Sequence, residues 1–396
     1  MRPPRLSGLA DRVSSPAAKA WDVGDLAFEQ MRAGREVIHL GVGDPDLDTA
    51  PETIAALTHA AANGRTHYSP IPGEPDLRAA AAQSVRERHG GTVTADHVVI
   101  CTGAQSALFS VFLTIAGPGD EVIVLEPYYA TYPAVVTAGG AEMVPVRTPA
   151  EAGYMPDLAE IEAALTDRTV AILLNSPGNP TGATVGADIL ADLTKLCVAR
   201  GLWLVCDEVY AALTYDSAHV SAFADTAARG NVVLIESLSK SHAMTGWRIG
   251  WIVGPDRLAA ALTDLAQAQQ FGVTQFVQDA ARVALEDTAT PQRVRDIFQA
   301  RRDALMAGLC KTDTLQFAEP QGGMFLMADV SRTGLDGMAF AHALLDEEAI
   351  AVVPGFGFGP SMNGFVRIGF LRDADELRDA GGRIAAFADR LERAVR

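Results

Sequence analysis

Short apolar runs, each closed by turn residues and followed by a helical pattern, recur along the first two-thirds of this chain. They are His97-Val-Val-Ile-Cys101, Glu121-Val-Ile-Val-Leu125, residues 141–146, Val170-Ala-Ile-Leu-Leu174, Leu202-Trp-Leu-Val-Cys206, Asn231-Val-Val-Leu-Ile235 and residues 249–253. Helical patterns over 156–166 and 184–200 stand between them. Alternation of this kind specifies an α/β fold with a largely parallel sheet and helical crossovers. In such sheets ligands bind beyond the C-terminal ends of the strands.

From about residue 255 the character changes. Helices are expected over 255–269, 273–288 and 290–310, then strands over 314–318 and 324–329, a helix over 337–347, strands over 350–353 and 365–370, and a terminal helix. An amphipathic helix is expected around Ala18–Ala33, ahead of the strand and turn Val37-Ile-His-Leu-Gly-Val-Gly-Asp-Pro-Asp-Leu-Asp48. The aspartates at 44, 46 and 48 imitate an EF-hand loop, but Thr49 and Ala55 occupy the positions of its glycine and bidentate glutamate, so calcium is excluded. No histidine has metal-ligand spacing either.

The 396 residues are enough for two or three domains, and 48% hydrophobic with 20% charged residues describes a globular chain. A formal charge of −17 disfavours nucleic acid and anionic membrane as partners. Four cysteines, Cys101, Cys197, Cys206 and Cys310, form no framework and read as reduced core thiols of a cytoplasmic protein. No signal-peptide pattern and no run of membrane-spanning length is present, so a soluble cytoplasmic location is expected.

The candidate site centres on Glu236-Ser-Leu-Ser-Lys-Ser-His-Ala-Met-Thr-Gly-Trp-Arg-Ile-Gly-Trp251, which places Lys240 in a polar turn just past a strand. By itself such a lysine is an ordinary surface charge. Ser237 and Ser239 add hydroxyls and Arg248 adds a guanidinium fork, a set suited to a phosphate dianion. A desolvated amine among other cations loses its proton and becomes a nucleophile that can form a Schiff base. The run Ser237-Leu-Ser-Lys240 followed by Met244-Thr-Gly-Trp-Arg-Ile-Gly250 resembles the signature of class I/II aminotransferases, fold-type-I enzymes that use pyridoxal 5'-phosphate.

That resemblance implies a large domain over residues 48–285 with a mostly parallel seven-stranded sheet, a small domain over 286–396, and an N-terminal arm over 1–47 that partly joins the small domain. It makes Lys240 the Schiff-base lysine and Ser237, Ser239 and Arg248 holders of the phosphate. Gly103, Ala104 and Gln105, at a strand–glycine–helix junction whose free N–H groups suit an anion, join them. Tyr129, with Tyr128 as the alternative, would lie over the pyridine ring. Asn179, in Asn175-Ser-Pro-Gly-Asn-Pro-Thr-Gly182, and Tyr210 would reach the phenolic oxygen. Asp207 would pair with the protonated ring nitrogen, which keeps the ring able to accept carbanion charge. Arg367, in the strand Phe365-Val-Arg-Ile-Gly369, would clamp the substrate carboxylate, and the N–H of Gly43 would face it. Tyr68 would cross a homodimer interface to the neighbouring subunit's phosphate.

The implied activity is ping-pong transfer of an amino group from an L-amino acid to a 2-oxo acid such as pyruvate or 2-oxoglutarate, with Lys240, Asp207 and Tyr210 as catalytic residues. The long lysine motif is similar to that of the arginine–pyruvate transaminases, and beyond them to the aspartate aminotransferase group. Gln105 stands where one branch of the aspartate enzymes has a lysine that reads the distal carboxylate. An aspartate or aromatic aminotransferase and a carbon–sulfur lyase on the same scaffold are the alternatives. A cofactor-sensing regulator would need a DNA-binding module that the roughly 40 residues before the first site loop do not contain. A dehydrogenase would need a GxGxxG after a strand, which is missing.

Overall fold

The computed structural model describes residues 4–14 and 16–395. Its main sheet has seven strands in the order Val98–Cys101, Gly250–Val253, Val232–Ser237, Trp203–Asp207, Thr169–Asn175, Glu121–Glu126 and Glu142–Arg147. Only Gly250–Val253 runs antiparallel to its neighbours. The four pairings among the other neighbouring strands are parallel. Apolar side chains fill both faces of this sheet: Ile123, Ile172, Leu174, Leu204, Cys206 and Leu234 pack on one side, and Val122, Leu173, Val205, Val233 and Ile235 on the other. Burial on two faces is why these strands read as unbroken apolar runs rather than as alternating patterns.

Strand parity then decides which face each terminal residue joins. Asn175, Asp207 and Ser237 continue the series 171–173–175, 205–207 and 233–235–237, so their side chains leave the C-terminal ends of three adjacent parallel strands on the same face. The helix Ala104–Ile115 packs on that face. This geometry prepares a polar site at the end of an apolar sheet.

A second core gathers Val23 and Ala27 from the helix Asp22–Arg32 with Phe298 and Leu305 from Ala289–Leu309, Phe340 from Gly337–Glu348 and Phe387 from Ala374–Val395. Its four-stranded sheet is antiparallel: Val353–Pro354, Phe365–Gly369, Phe325–Asp329 and Gln316–Phe317.

Three expectations change in detail. The helix expected around Ala18–Ala33 is a 3₁₀ turn over Pro16–Trp21 leading into the α-helix Asp22–Arg32. The strand expected over 350–353 divides: Ile350–Ala351 pairs with Ile38–His39, whereas Val353–Pro354 joins the larger antiparallel sheet. Cys310 is exposed, unlike the other three cysteines, because it lies at the C-cap of the long helix Ala289–Leu309. Among the described residues no helix is long and apolar enough to cross a membrane.

Candidate active site

A cavity of about 280 Å³ opens at the ends of the three parallel strands, lined by Asn175, Asp207, Ser237, Ser239, Lys240, Arg248, Ala104, Gln105, Tyr129, Asn179, Tyr210, Gly43 and Arg367. The sequence thus places most of its candidates in one space, although they come from seven segments of the chain. Tyr129 lines this cavity, while Tyr128 lines a separate, smaller one. Tyr68 is elsewhere: the residue is 81% exposed and its ring meets Phe271 edge-on, 5.2 Å between centroids.

Lys240 donates from Nζ to the carbonyl of Gly43. For Gly43, then, it is the carbonyl that the structure positions, by contact with the lysine. Burial pulls the Lys240 ammonium down to about 8, with Arg367 and Arg248 adding to the shift and Asp44 opposing it. A lysine held there gives up its proton near neutral pH.

Asp207 is 5% exposed. Burial pushes its carboxyl up to about 6, against the hydrogen bond from Tyr132 Oη at 2.6 Å and the charge of Lys240. Asn175 Nδ2 donates to the Asp207 carbonyl at 2.8 Å and its Oδ1 accepts from Asn179 N at 2.7 Å, tying the two loops together. An ionisable carboxylate fixed by a phenol and held in an apolar wall suits a cationic partner.

Arg248 adopts the left-handed backbone region, φ 53°, which costs a non-glycine residue about 1–2 kcal/mol. In that conformation its guanidinium donates to the carbonyls of Thr245 at 2.7 Å and Thr102 at 3.4 Å and lies against Gly103. A Cβ at Gly103, where φ is 86°, would stand 2.6 Å from Arg248 Nη2. Ser237 Oγ and Ser239 Oγ are 2.7 Å apart, and the N–H groups of Ala104 and Gln105 open the helix beside them. Hydroxyls, a fork of N–H donors and a helix N-terminus converge as a phosphate cradle.

Arg367 is 1% exposed, against the outward-facing charge that its strand position alone suggests. It donates to Asn179 Oδ1 at 3.0 Å and the Gly41 carbonyl at 2.7 Å, and its Nε has no partner. Three rings surround its Cζ: Phe325 at 3.9 Å, Phe358 at 5.0 Å and Trp21 at 5.4 Å. Burial pulls this guanidinium down to about 10. A buried guanidinium with donors to spare is primed for a carboxylate.

Several contributors escaped the sequence reading, Asn175 and Thr245 among them. Tyr132 is the third tyrosine of Glu-Pro-Tyr-Tyr-Ala-Thr-Tyr132, and its position in the first turn of the helix Tyr132–Thr137 was the available signal. Trp21, Asp44 and Phe325 also line the cavity. Trp21 lay unremarked in the helix expected around Ala18–Ala33, and Phe325 in the strand expected over 324–329. Asp44 was visible only as one of three loop acids; Asp46 is clasped by Arg301, and Asp44 accepts from the Thr245 hydroxyl.

The residues present fit pyridoxal phosphate: a lysine with a lowered proton affinity, a buried carboxylate, an aromatic wall and a phosphate cradle share one space. Comparisons with known proteins point the same way. The family model for aminotransferase class I and II matches residues 35–384. The arginine–pyruvate transaminase AruH of Pseudomonas aeruginosa is 42% identical over 98% of this chain and 99% of its own length. The aspartate/prephenate aminotransferase of Thermus thermophilus is 35% identical over 97% of this chain and 100% of its own. A solved structure of the aspartate aminotransferase from Thermus thermophilus with maleate superposes with a TM-score of 0.91 at 34% identity, covering 98% of this chain and all of that one. With family model, full-length relatives and fold in agreement around this cavity, the chain is an aminotransferase and belongs to the class I and II aminotransferase family.

Proposed function

We propose that the protein transfers the amino group of a basic L-amino acid, arginine first, to a 2-oxo acid such as pyruvate by a ping-pong mechanism. It would work with pyridoxal phosphate and as a homodimer. The observation that carries this reading is the convergence of Lys240, Asp207 and Arg367 in one cavity at the ends of parallel strands. The similarity to an arginine–pyruvate transaminase, and an uncharged Gln105 in the cavity wall, favour a basic over an acidic donor.

Arg367 would hold the donor's α-carboxylate, its orphaned Nε and the surrounding rings excluding water from the contact. Asn179 Oδ1 takes one Arg367 N–H, which keeps the fork oriented. Lys240 Nζ would take the proton from the donor's Cα and release it again later in the half-reaction; with its affinity lowered to about 8, it both accepts and releases protons near neutral pH. When bound, pyridoxal phosphate supplies the conjugated ring over which the electron pair left at Cα spreads. Asp207 would hold a proton-bearing ring nitrogen in its cationic state, and Tyr132 holds Asp207 in place. Ser237, Ser239, Arg248, Gly103, Ala104 and Gln105 would anchor the phosphate, with Tyr129, Asn179 and Tyr210 against the ring. Tyr68 of a second copy would complete the cradle. Residues 48–285 are assigned to a large domain and 286–396 to a small one, with 1–47 an N-terminal arm that partly joins the small domain; the site draws residues from all three.

A donor half-reaction screen tests the proposal. The cofactor-loaded protein is mixed with single amino acids and followed by the change in cofactor absorbance. Arginine or lysine should react fastest and leave one 2-oxo acid per site. Fastest reaction with aspartate, glutamate or aromatic donors would replace the substrate assignment, and sustained ammonia release without an oxo acid would identify a lyase.

A further inference from the structure

The charges lining the cavity divide into those with a task and one without. Its cations are Lys240, Arg248 and Arg367, and its carboxylates are Asp207 and Asp44. Proton transfer, phosphate, α-carboxylate and ring nitrogen account for the first four. Asp44 is left over, and it is an acid.

The neighbourhood of Asp44 shows a carboxylate with spare capacity. Two residues along the same loop, Asp46 is gripped through both oxygens by Arg301, with Nη2 to Oδ2 at 2.9 Å. Asp44 by contrast is an exposed residue at the cavity's edge, and among the described residues its one hydrogen bond is accepted at Oδ1 from the Thr245 hydroxyl, which leaves the other oxygen open to a ligand. Across the same cavity Trp21 presents an indole whose ring already lies 5.4 Å from the guanidinium carbon of Arg367. Gln105 is uncharged and its Oε1 is occupied by the Thr131 hydroxyl at 3.0 Å. No unassigned cation lines the wall to receive an acidic side chain.

We infer that Asp44 and Trp21 form the side-chain subsite, which selects donors carrying a guanidinium or another extended cation. The inference rests on the aminotransferase reading above and adds the residues that choose the donor. A free carboxylate oxygen offers a guanidinium a charge-assisted hydrogen bond, and an indole face attracts the same planar cation. An acidic side chain would meet Asp44 as a like charge. Lys240 feels the arrangement too: burial lowers its proton affinity, and Asp44 is the strongest of the charges that restrain that fall. A donor cation sharing Asp44 weakens the restraint and frees the lysine amine.

The test uses the cofactor-loaded protein and two acids that lack the α-amino group and so cannot react, 5-guanidinopentanoate and pentanoate, with binding measured by calorimetry. The wild type should bind the guanidino acid at least about tenfold more tightly than pentanoate, and Asp44→Asn should erase most of that preference. Trp21→Leu should lower the preference about threefold. The arginine-to-alanine ratio of kcat/KM should fall in parallel. Equal weakening of both acids by Asp44→Asn, with a shifted pH profile for every donor, would show that Asp44 serves Lys240 alone and overturn the subsite. An unchanged preference in Asp44→Asn would also overturn it. Failure of the underlying reading shows separately, in the wild type: no reaction with arginine, or tighter binding of succinate than of the guanidino acid.

Discussion

Asp207 sits in an apolar wall, held by the Tyr132 hydroxyl and the Val209 N–H, and that placement has a thermodynamic signature. In the unfolded chain its carboxyl has the ordinary value of 3.8, and in the fold it is raised to about 6. The folded state therefore binds the proton more tightly, and ionising Asp207 penalises folding. The penalty is absent below about pH 4, grows between pH 4 and 6, and is constant above. Asp207→Asn should accordingly stabilise the cofactor-free protein by about 3 kcal/mol at pH 7.5, with the gain vanishing below pH 4. The same variant should lose on the order of a hundredfold or more in turnover, because the ring nitrogen loses its charge partner. Thermal melts of apo protein across pH, read beside turnover, check both. A destabilised variant at pH 7.5 would contradict the burial argument. Asp207 was identifiable from its place after an apolar strand, but Tyr132, which restrains it, was not. A phenol pairs with a carboxylate 75 residues away only after the sheet has formed.

At the scale of elements, the junction between Val98–Cys101 and the helix Ala104–Ile115 supplies Gly103, Ala104 and Gln105 to the proposed phosphate cradle. Gly103 is required there twice over, by its positive φ of 86° and by the guanidinium of Arg248 pressed against it. Gly103→Ala should displace Arg248 and weaken cofactor binding about tenfold or more, with a smaller effect on the melting temperature of the apo protein. Cofactor titration followed by absorbance measures this, and unaltered affinity would remove Gly103 and Arg248 from the cradle. The strands of the main sheet were legible because their residues are apolar on both faces. The N-terminal segment was not: the residues from Ala18 read as the start of one amphipathic helix, yet the chain makes a 3₁₀ turn over Pro16–Trp21 that delivers Trp21 to the cavity. Helical periodicity does not record which residue a neighbouring core will capture.

For the whole molecule, Tyr68 and Phe271 form an exposed aromatic pair outside the cavity of their own chain, so the cofactor role proposed for Tyr68 requires a second copy. A complementation assay addresses the proposed homodimer. Lys240→Ala and Tyr68→Ala proteins, each nearly inactive alone, should recover up to about a quarter of wild-type activity when mixed in equal amounts and reassociated. The hybrid would contain one site with both residues native. Recovery at the level of the separate proteins would place Tyr68 outside any shared site.

The sequence by itself determined the order of strands and helices, the junctions where strands end in polar loops, and the local motifs around Lys240, Gly103, Asn179 and Asp207. Those features depend on residues adjacent in the chain, whose periodicity and turn chemistry act over a few positions. The tertiary structure decided that Tyr129 rather than Tyr128 lines the cavity, that Arg367 is buried among three rings, and that Asp44 faces the cavity while Asp46 is bound by Arg301. Each of these depends on parity and packing between segments far apart in sequence, where burial sets proton affinities and removes competing water.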